Sequence, residues 1–137
     1  MSIKLMDAQT VAEAAKVCAD ELGIQVAICV VDPRGDLVVA LRMDGARWTA
    51  PEIAWGKAVT SAMYGVPSAD LQERANSPVM QSNILRFGGR FVPQRGALPI
   101  QRDGNIIGAI GVSGGPSMQD EESAQAGINA LLAEKGN

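Results

Sequence analysis

The stretch IQVAICVVDPRGDLVVALRM, Ile24 to Met43, decides how the fold is read. Its first half is rich in Ile and Val, whose branched side chains pack well on a pleated surface. PRGD (Pro33 to Asp36) is turn chemistry, since Pro, Gly and Asp each suit a sharp reversal. LVVALRM then supplies a partner strand, so the stretch predicts an antiparallel β-hairpin. Further on, RDGN (Arg102 to Asn105) is a second hairpin turn, and IIGAIGVSG follows it as a strand.

Helical spacing frames these hairpins. Val11, Ala14, Ala15, Cys18 and Leu22 recur at helical intervals up to Gly23, with Asp7 expected as the N-cap. A second helix is expected from Thr49 or Ala50, with Pro51 in its first turn, where a missing N–H does no harm. Ala54, Ala58, Ser61 and Ala62 give it a small-residue face suited to close packing. SADLQERA predicts a short helix, and NSPVMQSNILR a helical turn before Gly88 and Gly89. RFVPQRGALPIQ gives two short extended pieces, broken by Pro93 and Gly96. Ser117 and Asp120 fit a capping box for the last helix, whose apolar stripe is Ala124, Ile128, Leu131 and Leu132.

The resulting order is α-β-β-α-(α)-β-β-β-α. It predicts an α+β domain with a mainly antiparallel, five-stranded sheet and helices packed on it. A chain of 137 residues is one domain by size, taken as 1–137.

Composition removes several functions. The net charge is −3 and the cations are scattered, so no nucleic-acid partner is expected. No apolar run is long enough to span a bilayer and no signal-like start is visible, which leads to the expectation of a cytoplasmic chain without a membrane partner. Histidine is absent, which removes Ser/His/Asp triads, Cys/His dyads and imidazole-ligated zinc or haem. Cys18 and Cys29 show no metal spacing and read as reduced, buried thiols. No metal site is expected.

Chemistry concentrates at GAIGVSGGPSMQDEESAQAG, Gly108 to Gly127. Gly108 and Gly111 lie inside a strand, where glycine admits another backbone or a ligand. Ser113, Gly114 and Gly115 stand between strand and helix, where successive N–H groups form an anion-binding nest. A requirement of the fold is favoured over ligand contact. Asp120, Glu121 and Glu122 oppose the positive end of the helix dipole, and a carboxylate there competes with any anion in the nest. At the second strand's end, Arg42 offers a bidentate clamp for a carboxylate beside Asp44. Lys57, among small residues, is a candidate base or anion partner, or else a snorkelling surface ammonium. Trp48, Trp55 and Phe91 suit a pocket, an oligomer interface or the core. Cys18, Cys29, Tyr64 and the methionines are the chemically available haem ligands other than imidazole.

Three segments in register, VAICVVDPRGDLVVALRMDGA, PEIAWGKAVTSA and PIQRDGNIIGAIGVSGGPSMQDEESAQAGI, resemble the GlcG/HbpS family of haem-degrading-like domains. That family includes the C-terminal domain of PduO. The resemblance implies a profilin-like α/β sandwich and a homo-oligomer, from dimer to octamer. Some relatives bind haem or are linked to cobalamin metabolism, and haem binding there usually implicates a histidine, which this chain lacks. The functional expectation is a small-ligand-binding domain of the GlcG/HbpS type, taking haem or another tetrapyrrole, with the cofactor unassigned. Its candidate ligand-binding residues are Ser113, Gly114, Gly115, Arg42 and Lys57. The alternative is an enzyme acting on a small oxo- or hydroxy-acid, with Arg42 holding the carboxylate and Lys57 or Asp44 moving a proton.

Overall fold

The computed structural model describes residues 1–135. Its order is α1 (Leu5–Leu22), β1 (Ala27–Val31), β2 (Leu37–Arg42), α2 (Ala50–Tyr64), two 3-10 turns (Ser68–Leu71 and Glu73–Asn76), α3 (Pro78–Arg86), β3 (Ala97–Arg102), β4 (Asn105–Ser113) and α4 (Ser117–Lys135). The four strands lie in the order β2-β1-β4-β3, and every neighbouring pair is antiparallel. The α+β sandwich expected from the sequence is what the chain forms. Among the described residues, no helix is long and apolar enough to cross a membrane.

Both hairpins fold for the reasons their sequences give. In the first turn, Asp32 Oδ1 accepts from the N–H groups of Arg34 (2.8 Å) and Asp36 (3.0 Å). In the second, Asp103 and Gly104 both take positive φ, the geometry of a tight two-residue turn.

The sheet has four strands, not five. The first extended piece of RFVPQRGALPIQ stays a loop, because the Val92 N–H turns to α2, reaching Thr60 Oγ1 at 2.9 Å and the Gly56 carbonyl at 3.2 Å. Pro93 next to it has no N–H to extend a ladder. SADLQERA forms the two 3-10 turns rather than an α-helix.

The helix termini also differ from expectation. Helix α1 begins at Leu5, with Lys4 as N-cap. Asp7 lies within the first turn, where it meets Arg102 at 3.2 Å across the fold. Ser117 and Asp120 form no capping box, because Asp120 turns inward to bond Gly115.

Alternation along the central strands builds two cores. Ile28, Val30, Ile110 and Val112 face α1 and α4, where they meet Val11, Ala15, Ala124 and Leu131. Helix α1 presents Ala8, Val11, Ala12, Ala15 and Ala19 there, so the buried stripe is its alanine side, displaced from the predicted one. In α4, Leu132 is 55% exposed and falls outside the stripe. On the other face of the sheet, Ala27, Cys29, Val31 and Ala109 meet Ala50, Ala54, Ala58 and Ala62 of α2.

This second layer is built almost wholly from small side chains. Gly111 of β4 is its extreme point: a Cβ there would run into the Ala54 carbonyl and lie 2.8 Å from the Ala58 nitrogen. The strand glycine therefore serves the approach of a helix. Gly111→Ala is expected to destabilise the fold by about 1–3 kcal/mol, as overpacking of a close interface does. Chemical denaturation checks this, and an unchanged midpoint would mean that α2 can move outward freely.

Candidate functional site

Helix α2 carries Lys57 inward beside Ala58. Its side chain is only 5% exposed, an unusual state for lysine. Nζ donates to the Val112 carbonyl at 3.0 Å and lies 3.5 Å from Asp120 Oδ2. Asp120, on the first turn of α4, is 2% exposed, and its Oδ1 accepts the Gly115 N–H at 2.9 Å. The pair thus joins α2, the end of β4 and the start of α4.

Burial sets the electrostatics of both groups. Desolvation lowers the Lys57 ammonium below its ordinary pKa, and Asp120 opposes the shift. Desolvation raises the Asp120 carboxyl, opposed by the Lys57 charge and by the Gly115 and Gly114 amides. Both shifts mark charges held in place at a cost. Stability contributed by Asp120 grows as pH falls through its raised value toward the ordinary carboxylate range. That from Lys57 grows as pH rises from its lowered value toward the ordinary ammonium range.

The glycine pair now has a physical account. Gly114 takes φ +133°, and a Cβ there would lie 2.6 Å from the Gln25 carbonyl. The nest exists, but the chain fills it with its own anion, the Asp120 carboxylate. The expected competition between an acidic residue and an external anion is decided for the acidic residue at Gly115.

A cleft of about 560 Å³ opens beside this pair, within the range of small-molecule sites. Lys57, Ser113, Gly114 and Gly115 all line it, so the structure brings these four sequence candidates together. Arg47, Gln72, Arg95, Ile53 and Pro93 complete much of the wall. Arg95 is fixed by its own N–H to Gln72 Oε1 (2.8 Å) and by its guanidinium to Glu121 Oε1 (3.0 Å). The described lining residues include three cations and no carboxylate, in a chain of net charge −3.

Arg42 and Asp44 lie elsewhere. Arg42 and Ser113 both pair with Ala27, from opposite sides of β1. Arg42 and Asp44 nevertheless line a separate cleft of about 470 Å³ with Lys16, Asp20 and Gln25. The proposed working set of Arg42, Asp44 and Lys57 is therefore divided between two clefts.

The aromatic and sulfur candidates also disperse. Trp48 is 81% exposed, whereas Phe91 is buried against Tyr64 and Phe87. Trp55 donates from Nε1 to the Gly35 carbonyl at 2.9 Å. Burial pushes the Cys29 thiol up to about 12, so it is no thiolate at neutral pH. Cys18 is half-buried, not buried as its apolar pattern suggested, whereas Cys29 is buried as expected. The Tyr64 hydroxyl is turned to Met80 Sδ at 3.7 Å. Among the described residues, no group of three or more His, Cys, Asp or Glu is placed to hold a metal ion.

A family model described as haem degrading protein HbpS-like matches residues 3–129. Corrinoid adenosyltransferase PduO of Salmonella typhimurium is 30% identical over 137 residues, covering 96% of this chain and 39% of PduO. The chain thus spans well under half the length of that relative. Among solved structures, a double mutant of Streptomyces reticuli HbpS matches with a TM-score of 0.85 at 32% identity, covering 96% of this chain and 88% of that one. A PduOC complex with haem matches with a TM-score of 0.85 at 29% identity, covering 95% of each chain.

The buried pair is open to a double-mutant cycle. Lys57→Met and Asp120→Asn are each expected to cost about 3–5 kcal/mol, because each leaves a polar partner buried without its counter-charge. The double variant is expected to cost far less than the sum. Additivity within about 0.5 kcal/mol would show that the two groups do not interact.

Proposed function

The chain belongs to the HbpS-like family, and from that premise we propose that it is a small-ligand-binding domain whose site is the Lys57 cleft. The ligand is an anionic molecule carrying carboxylates. The observation that carries this reading is the gathering of Arg47, Lys57 and Arg95 in the lining of one cleft in an acidic protein. Arginine forks match carboxylates bidentately, and Ser113 and Ser117 add hydroxyls.

Haem, present in the PduOC complex, meets a specific mismatch here. The described lining contains no Cys, Met or Tyr, and its amine is already bonded to Val112 and Asp120. A second copy of the chain adds no imidazole, since the sequence has none. The cleft residues therefore do not fit an axially ligated iron. A tetrapyrrole fits the same cleft only through its carboxylate side chains. Oxo- and hydroxy-acids belong to the same carboxylate class.

Homo-oligomeric assembly and a cytoplasmic location belong to the same proposal. Met6, Val17 and Leu132 are exposed large apolar side chains on α1 and α4, which supports association. Light scattering is expected to give a multiple of the 14.3 kDa chain mass at micromolar concentration. A monomeric mass would overturn the assembly.

The ligand class is tested by titrating tag-free protein with haemin and with iron-free protoporphyrin in parallel. Comparable affinities are expected, with no low-spin, nitrogen-ligated Soret pattern. Arg47→Ala and Arg95→Ala are each expected to weaken binding by roughly tenfold, about 1.4 kcal/mol. Tight binding of haemin alone, indifferent to both substitutions, would contradict the carboxylate reading.

A further inference from the structure

Lys57 differs in kind from Lys4 and Lys16. Lys16 sits on an exposed helix face, paired with Asp20 at 3.1 Å. Lys57 is buried to 5% exposure, yet its side chain forms part of the cleft wall. Its Nζ is held from behind by the Val112 carbonyl, with a carboxyl group 3.5 Å away. Gly96 makes room for it on one side, since a Cβ at that position would lie 2.7 Å from Nζ. An ammonium has three donors, and these two acceptors leave one direction uncommitted.

We propose that Lys57 is a carbonyl-trapping amine, and that the cleft takes a small 2-oxo acid as a reversible imine while Arg47 and Arg95 hold its carboxylate. The proposal rests on the reading of this cleft as the ligand site. Three features of the cleft match the chemistry. The amine is fixed and desolvated, which favours its neutral, nucleophilic form. A proton acceptor stands next to it. Arg47 and Arg95 line the same cleft as the amine and supply cations for the acid's carboxylate.

The step balances without an external reagent. The Lys57 ammonium passes a proton to Asp120, and the freed nitrogen lone pair attacks the carbonyl carbon. A C–N bond forms as the C=O π pair moves to oxygen, which takes up a proton from the attacking nitrogen to give a neutral carbinolamine. Asp120 returns its proton to the departing hydroxyl, the C–O bond breaks and water leaves. One ammonium and one carbonyl thus become one protonated imine and one water.

The test uses the full chain with pyruvate and sodium borohydride, read by intact-protein and peptide mass spectrometry. The expected result is a single reduced adduct on the peptide containing Lys57. Lys57→Arg is expected to lose it by at least tenfold, while Lys16→Arg keeps it. Adducts on Lys4 or Lys16 with none on Lys57 would overturn the proposal, and this readout needs no variant to fold. Parallel NMR titrations with pyruvate and with lactate, which has no carbonyl, separate the two levels. Binding of both acids without trapping at Lys57 removes the imine and leaves the cleft as a carboxylate site. Binding of neither removes both.

Discussion

The structure depends on how closely α2 lies on the sheet. Ala50, Ala54, Ala58 and Ala62 face Ala27, Cys29, Val31 and Ala109, and Gly111 sits at the tightest point. No larger side chain at Gly111 leaves the helix where it is. That approach also brings Lys57, the neighbour of Ala58, to the Val112 carbonyl at 3.0 Å. A residue that would otherwise snorkel to water is instead confined at the end of β4.

From that confinement the electrostatics follow. A buried ammonium needs a counter-charge, and Asp120 at 3.5 Å supplies it. Asp120 in turn draws on the Gly115 N–H, so the glycine passage between β4 and α4 is organised around a carboxylate belonging to the chain. The same pattern recurs at the rim, where Glu121 holds Arg95 at 3.0 Å. Each cation facing the cleft from these two positions is braced from behind. For the carboxylate ligand proposed above, oriented donors would reduce the ordering needed on binding.

Much of the fold was legible because its signals are local. The β-branched runs around PRGD and RDGN carry their own strand and turn chemistry, and Pro51 marks the start of α2. The misread parts depend on partners distant in sequence. The first piece of RFVPQRGALPIQ, before Pro93, looked extended, but Thr60 captures the Val92 N–H. The packed side of α1 is its alanine side, which hydrophobicity alone does not select. A Cβ at Gly127 of α4 would lie 2.6 Å from the Val11 carbonyl, so the two helices meet where side chains are smallest. Lys57, Ser113, Gly114 and Gly115 were identified as candidates, whereas Arg47 and Arg95 were not. Those two arginines sit in loops with no periodicity to read. The bond between Lys57 and Asp120 spans 63 positions, and the helix dipole had already accounted for Asp120. One local signal was present: Asp120, Ala124 and Leu131 fall on one helical face, which marks Asp120 as the inward acid of its run.

The most direct test of the account is a map of where a ligand lands. In an amide-detected NMR titration with pyruvate, the largest perturbations are expected at Ile53, Lys57, Arg95, Ser113 and Gly115, which line the proposed site. Lys16, Asp20 and Arg42, on the separate cleft, are expected to stay near their free positions. Perturbations centred on Lys16, Asp20 and Arg42, with Lys57 and Ser113 unmoved, would contradict the assignment of function to the Lys57 cleft.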